Sequence, residues 1–323
     1  MGAYGWVCWI FSKMEVNSAV VAKCRPFFSV KDLFWVIYLF PVRWLSAVLP
    51  PFLFVRAGML LDPVSRFLYV GARQRMEKVM GKSLGLSREE CRELSGSFVR
   101  NFMRRSLDDL VMNRLAEKGE WRCDGAQGLD KLEQALAAGK GVVLVTGHFF
   151  ANRLAKRYLD SLGFPCLSVR NGAPPDLNAG SFGKRYLQPR YVGFLHEVIR
   201  DEVLIQDPEL TLKIMKRLRA GGIVNVHLDG PSSVETVSIP FLGSNHEFSL
   251  GFLRIAGACG AMLLPMHCSG NSDGFTLSFE SPISPECYQS GRGPDRSVLS
   301  GLVGRLESRV RSNPDEWEVW DKL

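Results

Sequence analysis

Three residues with chemically useful side chains follow predicted strands in the second half of the chain. His148 and Asp229 each come directly after an apolar run, and Arg170 follows a third. Because ligands of parallel α/β sheets bind at the carboxyl ends of the strands, we expect these side chains to line one pocket. Taken singly, each also fits a structural role, as a core histidine, a turn residue or half of an ion pair. Together they offer a base, a carboxylate and an anion-binding guanidinium.

Short apolar runs alternate with helical patterns from residue 121 onwards, and these elements must position the three side chains. Strands are predicted at 141–146, 165–169, 223–228, 262–266 and 275–279. Helices are predicted at 149–162, 210–218, 248–259 and 299–310. This alternation is typical of βα units around a mainly parallel sheet. The predicted fold class is therefore α/β, with a mainly parallel central sheet flanked by helices.

The excess positive charge of the chain lies in its first 120 residues. The chain of 323 residues has a net charge of +7, and this part holds 18 Lys and Arg against 11 Asp and Glu. Its basic residues are interleaved with apolar and aromatic ones, among them Trp35, Tyr38 and Trp44. Such a mixture suits the headgroup depth of a membrane, whereas a nucleic-acid site needs a basic stripe with stacking aromatics. Nucleic acid is therefore not expected as a partner.

The apolar stretch 32–62 is interrupted by charge and by proline. A membrane-spanning helix needs about 20 consecutive apolar residues, but Pro41 and Arg43 divide this stretch into shorter runs. An interfacial helix is the favoured interpretation, and a helical hairpin packed on the main domain is the alternative. We predict two parts: a basic, apolar helical region over 1–120 that attaches to a membrane interface, and an α/β domain over 121–323.

The sequence offers no sign of a metal or redox cofactor. Its eight cysteines show no C-x-x-C spacing, and no phosphate-binding loop, dinucleotide fingerprint or Gly-x-Ser-x-Gly elbow is present. We therefore predict that the chemistry of the site uses side chains alone.

Several segments together resemble the bacterial lipid A biosynthesis acyltransferases, within the wider lysophospholipid acyltransferase superfamily. The segments that carry this resemblance are 141–148, 167–170, 210–233, 239–243, 253–266 and the closing motif 312–317. No single motif would suffice, but they span most of the chain in order. The resemblance implies a fold like that of glycerol-3-phosphate acyltransferase and a place at the cytoplasmic face of the inner membrane.

The resemblance also implies a mechanism and roles for individual residues. His148 matches the base that deprotonates an acceptor hydroxyl, which then attacks the thioester of an acyl carrier protein or of coenzyme A. Arg170 and Asp229 match further polar site positions, where the arginine binds phosphate or an oxyanion and the aspartate fixes that arginine. No cofactor is implied, since the acyl thioester is a substrate.

One position departs from the family pattern. In the family an acidic residue follows the histidine with four residues between them, and this chain has Arg153 at that position. Three explanations are open: the side-chain carbonyl of Asn152 orients the His148 ring; Asp229 or another acid reaches it, with Arg153 turned away or binding a phosphate; or catalysis has been lost. His227 lies two residues before Asp229, on the same strand face, and is a further candidate for the site lining.

The hypothesis that follows is transfer of a fatty acyl chain from a carrier thioester to a hydroxyl or amino group of a lipid or glycolipid at the membrane. The expected partners are the membrane surface, the lipid acceptor and an acyl carrier protein. The competing hypothesis is a catalytically impaired protein of the same fold that binds acyl chains or lipid without turnover, and it depends on Arg153.

Overall fold

The computed structural model describes residues 26–171, 179–230, 235–270, 274–290, 293–294, 296–320 and 323. The predictions made for the first 25 residues lie outside this described part. Two regions follow one another along the chain. Helices occupy it as far as residue 118, and strands alternate with helices from residue 123 onwards.

From residue 26 onwards, where the structure describes it, the helical region has six α-helices and one π-helical turn, Tyr38–Val42. The helices are α1 (Val30–Ile37), α2 (Arg43–Val48), α3 (Pro51–Met59), α4 (Asp62–Leu68), α5 (Val70–Leu84) and α6 (Arg88–Lys118). Ser87 begins α6 with a capping box, because its side chain accepts from the backbone of Glu90 and the Glu90 side chain returns the bond. Gly119 ends this helix in the left-handed conformation. Helices α2 to α5 pack on the long helix α6.

A seven-stranded sheet follows the helical region. Its strands are β1 (Cys123–Gln127), β2 (Val142–Thr146), β3 (Cys166–Arg170), β4 (Glu202–Leu204), β5 (Ile223–His227), β8 (Met262–Gly270) and β9 (Phe275–Phe279). Across the sheet they lie in the order β1-β9-β8-β2-β5-β3-β4. Strand β9 runs antiparallel to β8, and β1 runs parallel to β9. The other five strands are parallel. The predicted α/β class with a mainly parallel sheet is confirmed.

Helices cover both sides of this sheet. They are α7 (Leu129–Ala137), α8 (Asn152–Ser161), α9 (Gln188–Ile199, continuing a π-helical turn Gly183–Leu187), α10 (Leu210–Arg219), α11 (Gly251–Cys259), α12 (Pro285–Tyr288) and α13 (Arg296–Ser312). Two short hairpins, β6 (Thr236–Phe241) with β7 (Ser244–Ser249) and β10 (Gln289–Ser290) with β11 (Gly293–Pro294), lie outside the sheet. The predicted helices at 149–162, 210–218 and 299–310 correspond to α8, α10 and α13.

The helix predicted over 248–259 is wrong at its beginning. It begins at Gly251, and Phe248 belongs to β7, where it pairs with Val237. The Phe248 ring also packs edge-on against that of Phe241. This hairpin was not predicted, because pairing with the strand just upstream and tertiary packing override the local helical pattern.

The helical region and the sheet share one hydrophobic core. Trp35 of α1 and Phe98 of α6 belong to the same buried cluster as Leu144 and Val224 of the central strands. The proposed division into 1–120 and 121–323 therefore marks a change of secondary structure, with apolar packing continuous across it. The division into two domains stays a prediction.

Candidate active site

The ends of β2 and β5 bring His148 and Asp229 together. These strands pair in register, with Thr146 opposite His227, so the residues that follow them emerge side by side. The Nδ1 atom of His148 lies 2.6 Å from Oδ1 of Asp229. The backbone N–H of His148 also donates to this carboxylate, at 2.9 Å from Oδ2. The carboxylate therefore fixes both the ring and the backbone of His148, which leaves Nε2 as the ring nitrogen for chemistry.

A segment after the last helix completes the environment of Asp229. The indole N–H of Trp317 donates to Oδ2 of Asp229 over 2.6 Å, in the buried interior. Trp317 forms a β-bridge with Phe149, and the N–H of Glu318 donates to the carbonyl oxygen of His148 over 2.7 Å. The segment 316–318 thus contacts both the His148 loop and Asp229.

The ring of His227 stacks on that of His148, with centroids 4.3 Å apart and planes 23° apart. His227 also lines the cavity described below. The structure therefore places it beside the histidine, as the strand alternation predicts. A stacked ring restricts rotation of the His148 imidazole about its Cβ–Cγ bond.

Asn152 has a different contact from the one considered in the sequence. Its amide donates to the carbonyl oxygen of Gly147, and its Oδ1 lies 2.5 Å from Sγ of Cys268. Both ends of the amide are thus engaged away from the His148 ring. Asn152 supports the peptide that precedes His148, and Asp229 is the residue in contact with the ring.

Arg153 forms an ion pair with Asp109 of helix α6. The Asp109 side chain is 3% exposed, and burial raises the pKa of Asp109 while Arg153 and Arg105 oppose the rise. Arg105 is itself paired with Glu318 at 2.6 Å. Arg153 stands where the family has an acidic residue. Its positive charge is therefore balanced by the carboxylate of Asp109 in the helical region, 44 residues earlier in the chain.

Arg170 is held by Glu202 of the neighbouring strand β4. Its Nε and one terminal nitrogen contact the two carboxylate oxygens at 2.5 and 2.8 Å, which is a bidentate geometry. His196 also contacts Glu202, at 2.5 Å from Nδ1. The resemblance implied that Asp229 fixes Arg170, but Glu202 holds the guanidinium in the structure, and Asp229 contacts His148 instead.

A cavity of about 330 Å³ lies at the carboxyl end of the central strands. His148, His227, Arg153 and Arg170 line it, together with Asn152 and Glu318. Most of the remaining lining is apolar and comes from β2, β5, α10 and α11, including Val143, Val224, Val226, Leu210, Ile214, Phe252 and Ile255. This volume lies within the range of ligand pockets. Among the described residues, no cluster of His, Cys, Asp and Glu suited to a metal ion is found.

Fold and site together define a class of α/β proteins in which a histidine in contact with a carboxylate stands over a largely apolar cavity, an arrangement suited to acyl transfer. The chain belongs to the bacterial lipid A biosynthesis acyltransferase family, whose model matches residues 102–322. This match confirms the resemblance seen in the sequence. It begins within helix α6, and so it includes part of the helical region.

The chain is also similar to individual proteins. It is 25% and 26% identical, over 196 and 193 residues, to phosphatidylinositol mannoside acyltransferases from two strains of Mycobacterium tuberculosis. These alignments cover 59% of the chain and 57% of each relative. The crystal structure of the 1-acyl-sn-glycerophosphate acyltransferase PlsC from Thermotoga maritima aligns with 15% identity and a TM-score of 0.29. That alignment covers 88% of this chain and 98% of PlsC.

Three residues of the site were not singled out in the sequence. Trp317 was noted only as part of a closing motif, and Asp109 and Glu202 were not noted at all. Each lies far along the chain from its partner, or on a strand too short to be predicted, so local periodicity carries no signal for it. The closing motif at 312–317 was the one available indication that this segment belongs to the site.

The geometry predicts that Trp317 positions Asp229. Trp317→Phe keeps the buried ring and removes the indole N–H, and we expect kcat to fall about tenfold with KM unchanged, because hydrogen bonds to charged groups contribute about 1.5–3 kcal/mol. Steady-state kinetics with varied acyl donor measures the two constants separately.

Trp320 provides the matched control for this prediction. It is also buried, and its indole N–H donates to the carbonyl oxygen of Pro314 at 2.8 Å. Trp320→Phe should therefore leave kcat within about twofold of the unmodified protein. Equal losses of kcat in the two variants would show that Trp317 contributes only to packing.

Proposed function

We propose that this protein transfers a fatty acyl chain from a carrier thioester to a hydroxyl or amino group of a lipid or glycolipid at a membrane surface. The observation that carries the proposal is the contact of 2.6 Å between His148 Nδ1 and Asp229 at the mouth of a largely apolar cavity. Family membership and the similarity to glycolipid acyltransferases support the same class of reaction.

The proposed reaction begins with proton transfer from the acceptor hydroxyl to Nε2 of His148. The resulting alkoxide oxygen forms a bond to the thioester carbonyl carbon, and the carbon–sulfur bond then breaks. The departing thiolate takes the proton back from the imidazolium, so the histidine is regenerated. Asp229 stabilises the imidazolium through Nδ1–H, in the manner of a base held by a third group.

The lining of the cavity supports separate places for the acyl chain and for developing charge. The apolar side chains of α10 and α11, such as Ile214 and Phe252, provide a surface suited to a fatty acyl chain. Arg170 stands at the polar end, and its guanidinium suits an oxyanion or a phosphate even while paired with Glu202. These roles for His148, Asp229 and Arg170 are parts of the proposal.

An exposed apolar surface on α1 and the helices that follow supports action at a membrane. We call this surface the apolar face, formed by Val30, Leu33, Phe34, Ile37, Phe40, Trp44 and Val48. Their spacing of three and four residues places them along one side of the helices, and Trp44 is 65% exposed. Among the residues that the structure describes, no helix is long and apolar enough to cross a bilayer. We propose that the apolar face lies in the interface of the inner membrane, on its cytoplasmic side.

The arrangement of Arg153 bears on the competing hypothesis of lipid binding without turnover. That hypothesis depends on a positive charge left beside His148 with no carboxylate to orient the ring. In the structure Arg153 is paired with Asp109, and Asp229 contacts the ring. The geometry therefore favours turnover over binding alone. The proposed substrate is the thioester of an acyl carrier protein or of coenzyme A.

The experiment incubates the protein with a long-chain acyl thioester and a glycolipid acceptor, either in anionic vesicles or dispersed in detergent. We expect mass spectrometry to detect an acylated acceptor in both cases. Trp44→Glu should lower the rate on vesicles several-fold and leave the rate in detergent unchanged, because a charge at this depth opposes insertion.

Leu212→Glu serves as the control, since Leu212 is 63% exposed on helix α10, outside the apolar face. It should leave both rates unchanged. No consumption of either the carrier-protein or the coenzyme A thioester would contradict the proposed reaction. Equal vesicle rates for Trp44→Glu and the unmodified protein would contradict the membrane role of the apolar face.

A further inference from the structure

Two polar residues that line the cavity, Asn225 and Ser168, have no role in the proposed acyl transfer. Asn225 of β5 is 3% exposed and lines the cavity. Its side-chain oxygen has no hydrogen-bond partner among the residues that the structure describes. Buried amide oxygens are nearly always hydrogen-bonded, because leaving one unpaired costs stability. An unpaired amide oxygen in a central strand that lines a cavity is therefore suited to accept a hydrogen bond from a bound ligand.

Strand alternation gathers other polar groups on the same side of the sheet as Asn225. Ser168 of β3 is in register with Asn225, and Arg170 lies two residues further along β3. His227 lies two residues after Asn225 on β5, and all four side chains line the cavity. Within the cavity these four side chains form a polar wall, whereas the side chains of α10 and α11, such as Ile214 and Phe252, form the apolar lining that suits an acyl chain.

The charges near this wall are compensated within the protein. Three cationic side chains line the cavity, and each is paired with a carboxylate: Arg153 with Asp109, Lys156 with Asp160 and Arg170 with Glu202. Because each cation already has a carboxylate partner, these charges do not by themselves require an anionic group beside Asn225. Asn225 and Ser168 instead offer neutral hydrogen-bonding groups, which suit hydroxyl and amide groups of a ligand.

We propose that Asn225 and Ser168 form a subsite for an uncharged, hydroxyl- or amide-bearing group of a substrate. A hydroxyl or amide N–H of that group donates to Oδ1 of Asn225, a few ångströms along β5 from the stacked rings of His148 and His227. This subsite rests on the proposed function and specifies its polar contacts. Two sources have the required chemistry: the polyol headgroup of the acceptor, and the amide-containing pantetheine arm of the donor.

The test compares stability with function in Asn225→Leu. Leucine has the same branched skeleton of side-chain heavy atoms as asparagine and has no unpaired polar atom, so we expect Tm to stay level or rise. Over the same substitution, kcat/KM for acyl transfer should fall at least tenfold. Ser168→Ala should show a smaller fall of the same kind. A side chain that only held a buried water would leave kcat/KM unchanged, and that result would overturn the proposal.

Asn113→Leu provides a matched control. Asn113 is half-buried, outside the cavity lining, and its amide donates to the carbonyl oxygen of Glu197 and accepts from Arg157. Removing those bonds should lower Tm without changing kcat/KM. The opposite signs of the two Tm changes separate a group that serves a ligand from one that serves the fold.

Two further measurements identify the source of the bound group. If the pantetheine arm occupies the subsite, Asn225→Leu should also slow hydrolysis of the acyl thioester in the absence of acceptor; if the acceptor headgroup does, that hydrolysis should be unchanged. Binding of pantetheine and of a methyl glycoside, each followed by its effect on Tm, tests the subsite without turnover. One probe should stabilise the unmodified protein and not Asn225→Leu. Failure of both probes to do so would overturn the subsite, whereas absence of acyl transfer alone would overturn only the proposed function.

Discussion

Replacing Asp229 with asparagine is expected to lower kcat by about 10³- to 10⁴-fold, as loss of the orienting carboxylate does in serine hydrolases. In the structure the carboxylate accepts from the Nδ1–H and backbone N–H of His148 and from the indole of Trp317. The asparagine side chain has one acceptor oxygen for these three donors, and its NH2 group would face at least one of the three N–H groups. The imidazole would therefore lose its fixed tautomer and the charge that stabilises its protonated form.

His148→Ala should lower the rate of acyl transfer to a similar extent. A variant with both substitutions should be no slower than either single variant, because the two residues act as a unit. The measurement is single-turnover acyl transfer with saturating donor and acceptor, beside a circular dichroism spectrum that checks the fold. Turnover of Asp229→Asn within about tenfold of the unmodified protein would mean that another group orients His148.

Restoring the family's acidic residue by Arg153→Glu is expected to damage this protein. The new carboxylate would lie beside Asp109, whose side chain is 3% exposed, and the ion pair that compensates it would be lost. Breaking a buried pair costs about 3–5 kcal/mol, so we expect the free energy of unfolding to fall by roughly that amount and acyl transfer to fall with it. Denaturant titration measures the first quantity and the donor assay the second.

Two variants show whether this loss comes from the buried pair. Arg254→Glu makes the same substitution in an exposed pair with Glu235, where the side chains are 54% and 43% exposed, and should cost less than about 1 kcal/mol. Adding Asp109→Lys to Arg153→Glu should recover part of the lost stability, because it restores opposite charges. Faster acyl transfer in Arg153→Glu would instead mean that the position still serves His148.

The sequence predicted the parts of the site that follow strands, and missed the parts that contact them from elsewhere. His148, Arg170 and Asp229 were found because a polar residue after an apolar run marks a strand end, and parallel strands place those ends together. The partners Asp109, Glu202 and Trp317 come from a long helix, an edge strand of three residues and the segment after α13. Their positions depend on tertiary packing between distant parts of the chain, which a local pattern does not encode.

The effect of Arg153 could not be predicted from the sequence for the same reason. Its charge is read directly from the residue type, but its consequence depends on the group that lies opposite. Asp109 is 44 residues away, on the helical region that was predicted to serve the membrane. The pairing shows that this region holds Arg153, a residue that lines the cavity of the candidate active site.

The contact between Trp317 and Asp229 ties catalytic competence to the order in which the chain is made. His148, Asp229 and Trp317 are separated by 81 and 88 residues, and the tryptophan follows every strand of the sheet. During synthesis the growing chain can pair its central strands before the carboxylate gains its indole donor. The set of contacts around His148 and Asp229 is thus completed only after the last strand of the sheet has been made.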